Sequence, residues 1–383
     1  MANQIPLILN SSTGVIERLS SNDTLCIPTK PPLLRITTNT SYYVATTGND
    51  TNDGSSATPW ATLEHALRVI GSYWIDAGVT VTVYLADGKY TSTTRLTYNN
   101  PTAGTINITG THTYSCNITS VQSAGLGLYV LNVDSNANIA EDDYVLIKNA
   151  TGGTNPQVLQ GCHRVQGTPT NQITIEFARM GGVVATGAVS ATVTVLKTQL
   201  YWSTGHGMWF TSALGSIDKL AIVGSAYNNG YAGLALSQNG HVTLSSSCGI
   251  TKWQYGVLET SGGSVALNGS VITACTYGMY AWMTNNFETV TLPYITACVY
   301  GFYLVGSSLQ FSSTHFIYCD YGAYCTASVY ILTGVLASYN GTALYARRGS
   351  MLSGASGVSF TSNTTDTNPA LDTEGNILSY IIS

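Results

Sequence analysis

Four carboxylates are spread over residues 205 to 360: Asp218, Glu259, Glu288 and Asp320. Hydrolysing a glycosidic bond takes two of them about 5 to 9 Å apart, and elimination takes a base beside an acidic cation cluster. Set against the repeat described below, Glu259 falls three residues after its repeat glycine, Glu288 ten after and Asp320 two before. They occupy different columns, so a paired-acid site within one chain is not expected, while one shared between subunits stays open. Glu259 is the single catalytic candidate. Its column otherwise holds Ala281, Leu304, Cys325 and Leu344, which points it inward, and a buried carboxyl with a raised pKa would mark a functional site. The plainer expectation is a local distortion that leaves Glu259 at the surface.

Other reactive groups are read as structural. A row of thiols at Cys275, Cys298 and Cys319 would need a neighbouring cation or a helix N-terminus to become nucleophilic, and the sequence supplies neither. Eight cysteines without a CxxC pair suggest free, packed thiols and no metal centre. Glu141, Asp142 and Asp143 could hold a cation, although a solvated turn accounts for them. His163 and Arg164 follow Cys162 in "GCHRV", where polarity with a structural role is expected. No cofactor is implied.

Aromatic side chains offer binding. Tyr280, Tyr303 and Tyr324 recur two residues after successive glycines, with Trp282 and Trp253 on nearby repeats. Such rings give a sugar flat apolar surfaces with polar rims. A tyrosine column that stabilises a sheet by cross-strand pairing is the competing reading.

The elements that would position these groups follow from a repeat. Aligned glycines at 233, 256, 278, 301, 322 and 341 are spaced by 23, 22, 23, 21 and 19 residues, and tyrosine precedes four of them. Six residues before the glycine stand Ile250, Ile272, Ile295, Phe316 and Val335; three before stand Trp253, Cys275, Cys298, Cys319 and Ser338. A second apolar cluster recurs between glycines, as "HVTL", "SVAL", "TVTL", "SLQF" and "VYIL". About three short β-rich runs per repeat, with no helical period, predict one coil of a parallel β-helix. Identical residues align because like stacks on like about 4.8 Å apart, with glycine expected where a corner needs positive φ. At about 22 residues per coil, residues 205 to 360 hold about seven coils.

Before the coils, "GNDTNDGSS" is turn chemistry. Leu63, Ala66, Leu67 and Ile70 then fall at helical spacing, predicting a short amphipathic helix that covers the open end of the solenoid. Residues 120 to 198 lose the rhythm and read as a small β insert. The expected divisions are therefore 1–40 (leader), 41–119 (capping helix and first coils), 120–198 (insert), 199–362 (regular coils) and 363–383 (closing segment).

Two stretches resemble known proteins. "YYVATTGNDTNDGSSATPWATLEHA" resembles the leading segment of phage-encoded proteins of the pectate-lyase-like right-handed parallel β-helix superfamily, over about 45 residues. "GVIERLSSNDTLCIP" resembles the N-terminal leader of phage tail fibre and tailspike proteins, over about 25. The resemblance implies an all-β, right-handed single-stranded parallel β-helix in a virion structural protein, assembled in the host cytoplasm. It implies a homotrimer docked to other tail or baseplate proteins by the leader and binding a host surface polysaccharide. A polysaccharide lyase or glycosidase acting on capsule or O-antigen, and a capsid decoration protein, are the alternatives.

Composition narrows the partners independently. Only 9% of the residues are charged and the net charge is -5, with no Lys/Arg run to follow a phosphate backbone, so nucleic acid is not expected. No apolar stretch approaches the roughly 20 residues of a membrane-spanning helix. The start "MANQIPLILNSS" has no basic n-region, and no secretory signal is read there.

Overall fold

The computed structural model describes residues 7–9, 16–18, 34–99, 102–125, 127–177, 185–225, 230–283, 289–291, 293–353, 358–368 and 377–378. Glu288, and most of the leader and of the closing segment, lie outside the described residues. No described helix is long and apolar enough to cross a membrane.

The chain winds into a parallel β-helix with three faces. Sheet I has nine strands, from Gly88–Ser92 to Ser359–Thr361; sheet II has nine, from Leu96–Tyr98 to Thr365–Asn368. Sheet III is a six-stranded sheet from Thr40–Val44 to Ser264–Leu267, with a five-stranded sheet from Thr289–Thr291 onward forming the same side of later coils. Seven strands of sheet II and six of sheet I fall wholly between residues 205 and 360, with a seventh strand of sheet I ending at Thr361. The right-handed course is the one that twisted parallel strands with crossover connections take.

Register explains the repeat. Ile250 pairs with Ile272, Ile272 with Ile295 and Ile295 with Phe316, all sealed from solvent. Burying each such side chain contributes about 1.5–3 kcal/mol. The last repeat is read differently from the sequence alignment: Phe316 pairs with Ala337, not Val335, and Tyr321 with Thr342. The structural counterpart of Gly322 is therefore Ala343, two residues beyond Gly341. The thiol column likewise continues into Asn340, not Ser338. The Asn340 Oδ1 accepts from the Cys319 amide at 2.9 Å, and its Nδ2 donates to the Phe316 carbonyl at 3.0 Å.

The repeat glycines do not supply the positive φ. Between sheets I and II that role falls to Lys252, Ala274, Ala297, Tyr318 and Tyr339, with φ of 51° to 63°. The glycines are required for space: a Cβ on Gly278 would lie 2.6 Å from the Gly301 carbonyl oxygen of the next coil. The stacked thiols sit just past this corner, and the Sγ atoms of Cys275 and Cys298 donate to the Thr273 and Thr296 carbonyls at 3.5 and 3.4 Å. All seven described cysteines are buried and outside any disulfide. Burial lifts the Cys298 thiol well above its ordinary pKa, the reverse of nucleophilic activation.

Helix α1, Leu63–Ile70, buries Leu63, Ala66, Leu67 and Ile70 against the first coils. Thr62 caps it by accepting from the His65 amide at 3.2 Å. Asp50, in the preceding turn, accepts from the Ala61 and Thr62 amides at 2.8 and 2.9 Å.

The arrhythmic stretch is a closed antiparallel barrel of six strands within Thr113–Leu196, inserted at one corner between the sheet III strand Thr105–Gly110 and the sheet I strand Thr198–Trp202. Its core includes Ile118, Leu131, Ile147, Val165, Ile175 and Val193. The barrel lies on the outer face of sheet I, where Tyr144, Leu146, Cys162 and Leu196 pack on Ala221, Val223, Val271 and Tyr294. Because both faces of sheet I are then covered, strands such as Leu220–Gly224 are buried throughout and apolar without alternation. Lys148 pins the seam by donating to the Ser246 and Gly269 carbonyls.

Candidate functional site

Sheet II keeps an uncovered outer face, and it carries two parallel tyrosine ladders. The strands Tyr255–Thr260, Tyr277–Trp282 and Tyr300–Val305 repeat one burial pattern in which the first, fourth and sixth residues face out. Since coils stack at strand spacing, equal residues are forced ring on ring. Tyr255, Tyr277, Tyr300 and Tyr321 stack with centroids 5.2, 5.1 and 5.2 Å apart. Tyr280, Tyr303, Tyr324 and Tyr345 stack at 5.3, 4.8 and 4.8 Å. Rings of one ladder meet those of the other edge to face, for example at 79° between Tyr277 and Tyr303 and 82° between Tyr300 and Tyr324. Both geometries are favourable for aromatic quadrupoles.

The rings' faces are thus largely occupied by one another, and a ligand meets edges, hydroxyls and what lies beside them. Beside the second ladder runs the column Thr260, Trp282, Val305, Thr326 and Arg347. Trp282 is 49% exposed and offers a free indole surface. Arg347 Nη1 donates to the Tyr324 hydroxyl at 2.8 Å. Toward the N-terminal coils the column of the second ladder itself, continued through Leu258 and Ala235, carries Trp209, with the Arg95 guanidinium 4.9 Å over its ring and His206 edge-on at 5.2 Å. Burial, with neighbouring phenols second, pushes Tyr277 up to about 12. Its hydroxyl stays protonated, able to donate and accept.

Of the residues singled out from sequence, Tyr280, Tyr303 and Tyr324 share one column, and Trp282 lies next to it. Trp253 does not belong there. It is 1% exposed, packed 5.9 Å from Trp202 in the coil interior with its Nε1 donating to the Ile222 carbonyl. Its position immediately after the corner residue turns the side chain inward, as it does the cysteines of later coils. Tyr324 is 8% exposed because the two ladders and Arg347 enclose it, so it supports the face more than it lines it. Tyr345 escaped notice because the two-residue shift of the last repeat moved it off the aligned column. The first ladder was visible as the residue preceding each glycine, yet its sharing a face with the second depends on the three-dimensional corner.

Glu259 is not at the surface. It pairs in register with Leu236 on one side and Ala281 on the other and is 2% exposed, so the local distortion expected from sequence does not occur. Its side chain faces a sealed core that a polysaccharide cannot enter. Asp320 is three coils away, about 14 Å at strand spacing, and Asp218 lies at the end of a sheet III strand, accepting from the Lys219 amide at 2.9 Å. Neither forms a carboxylate pair with Glu259 of the kind glycoside hydrolysis requires.

The acidic turn is neutralised by cations: Arg164 bonds Asp142, and Lys197 meets Asp143 at 2.7 Å. His163 is enclosed in the barrel, 2.8 Å from the Leu159 carbonyl and stacked on Phe177 at 5.4 Å. Among the described residues no group of three or more His, Cys, Asp or Glu is placed to hold a metal ion.

No protein-family model matches the sequence, and no curated protein matches it. Among solved structures, a rhamnogalacturonan lyase is similar at 10% identity, covering 84% of each chain with a TM-score of 0.37. The structure of XylC with xylose is similar at 11% identity over 84% of this chain and 69% of that one, with a TM-score of 0.35. The tailspike gp61 of Pseudomonas phage phi297 is similar at 9% identity over 76% and 68%, with a TM-score of 0.26. Scores this low leave the assignment to the strand pairing itself, by which the chain is a parallel β-helix with an antiparallel barrel set into one corner.

Proposed function

We propose that the chain is a virion structural protein of a bacteriophage, a tail fibre or tailspike subunit that binds a host surface glycan along the outer face of sheet II. The observation that carries this reading is the double tyrosine ladder, beside which Trp282 is exposed. Its hydroxyls repeat once per coil, parallel to the helix axis, each able to donate and accept, and Trp282 supplies an apolar platform at the edge. An extended polymer rich in hydroxyl groups matches such a surface better than a compact ligand does. The leader's resemblance to tail fibre and tailspike leaders supports docking to the particle, and a homotrimer would present the face three times. Glycan contact without cleavage accords with Glu259 being sealed inside the coil.

The test is glycan binding by the purified chain, using capsule and lipopolysaccharide fragments from candidate hosts in an array or by titration. Saturable binding that weakens about tenfold in Trp282→Ala and Tyr303→Ala, with the fold retained, supports the reading. Binding that survives both substitutions, or release of reducing ends or unsaturated products, overturns it.

A further inference from the structure

A second concavity lies on another side of the molecule, at the seam between barrel and coils. It has a volume of about 240 Å³, below the range of drug-sized pockets and suited to a ligand of about one monosaccharide. Lys89, Tyr201 and Lys252 enter it from the coils; Asp142, Tyr144 and Arg164 enter it from the barrel. Three of the chain's 14 lysines and arginines therefore face one small space, against a single lining carboxylate.

These cations are incompletely neutralised. Arg164 directs both Nε and Nη2 to the same Asp142 oxygen, which leaves its Nη1 edge for another acceptor. Lys252 reaches Glu176 only at 3.4 Å, and that oxygen also accepts from Gln166 at 2.9 Å. The Lys89 ammonium sits 4.1 Å above the Tyr201 ring, and among the described residues it has no carboxylate within salt-bridge distance. A cleft with low-dielectric walls concentrates such a field. The ring face that a sugar would stack on is taken by Lys89, so charge leads recognition here.

We propose that this cleft binds a small oxyanion, the carboxylate or phosphate group of a monosaccharide-sized ligand, with Arg164, Lys89 and Lys252 as donors. Arg164 presents a planar fork and the lysines act as point charges. Because the barrel and the coils each supply part of the site, an occupant bridges them and stabilises their docking by mass action.

The experiment is calorimetric titration of the full chain, at low salt, with glucuronate, inorganic phosphate and neutral glucose. Saturable binding of glucuronate or phosphate but not glucose is expected, with affinity falling as salt rises, and the tighter of the two identifies the group recognised. Lys89→Ala, an exposed position, should weaken binding about tenfold without changing the unfolding midpoint of the free protein; Arg164→Gln should weaken it similarly. Tyr303→Ala on sheet II should leave it unchanged, which separates this site from the glycan face. Absence of saturable binding by both anions, binding of glucose as tight as that of glucuronate, or anion binding unaltered in both cleft variants would overturn the proposal.

Discussion

Glu259 occupies a position that Leu236, Ala281, Leu304 and Cys325 fill in neighbouring coils, and its column already pointed it inward in the sequence. What the sequence could not supply was the rigidity of the stack, which leaves no room for the strand to twist one side chain out. Glu259→Gln should accordingly leave glycan binding unchanged, as measured in the same titration as Trp282→Ala. The corner residues show the opposite limit of sequence reading: an aromatic residue type makes Trp253 a binding candidate, yet it shares a column with the cysteines and is buried with them, because burial at a corner follows backbone direction and not residue type. Asp50 yields a pH-dependent expectation. Burial raises its pKa, but hydrogen bonds from Thr62 and Ala61 outweigh this and hold it below 3.8. A depressed carboxyl stabilises the fold fully above that value, and the contribution is lost as pH falls through the lowered pKa. Asp50→Asn should lower the thermal midpoint by about 2 °C at pH 7, with the gap to the parent closing below pH 3.8.

At the scale of single elements, the coil corners separate two demands that the sequence motif had merged. Ala297 holds φ at 51°, a conformation that costs a non-glycine residue about 1–2 kcal/mol, whereas Gly278 is extended but has no space for a Cβ. Gly278→Ala should therefore destabilise by about 1–3 kcal/mol, while Ala297→Gly should be neutral or stabilising; denaturant unfolding of the two variants checks the contrast. In the ladder, Tyr303 stacks on Tyr280 and Tyr324 and meets Tyr277 and Tyr300 edge-on. Tyr303→Ala should cost about 2–3 kcal/mol and Tyr303→Phe much less, so a binding loss shared by both would assign the hydroxyl to the ligand. Columns of this kind were legible because stacking repeats residue types. Helix α1 was legible because its four buried positions keep helical spacing.

For the molecule as a whole, the barrel is the feature whose presence the sequence announced only as a loss of rhythm. Its closure rests on pairings such as Thr113 with Leu196 and Tyr144 with Leu196, which join distant segments without any period. Its burial of sheet I was hidden as well, since Val223 and Val271 look like ordinary core residues when their outward direction is unknown. Replacing residues 111–197 by a short turn should preserve the coils, because the neighbouring coils cross that corner with Ala86 and Asp87 or with Lys219 alone. The apolar patch of Ala221, Val223, Val271 and Tyr294 would then be bare, and the shortened chain should self-associate and bind a hydrophobic dye where the parent does not.

The barrel's incoming and outgoing strands run side by side, Thr113 opposite Leu196, so the excursion departs and returns through one narrow doorway. Any folded module with neighbouring termini could hang from the same hinge point while the coils beneath keep their pitch. The shaft can thus acquire or exchange side appendages without being lengthened or re-registered.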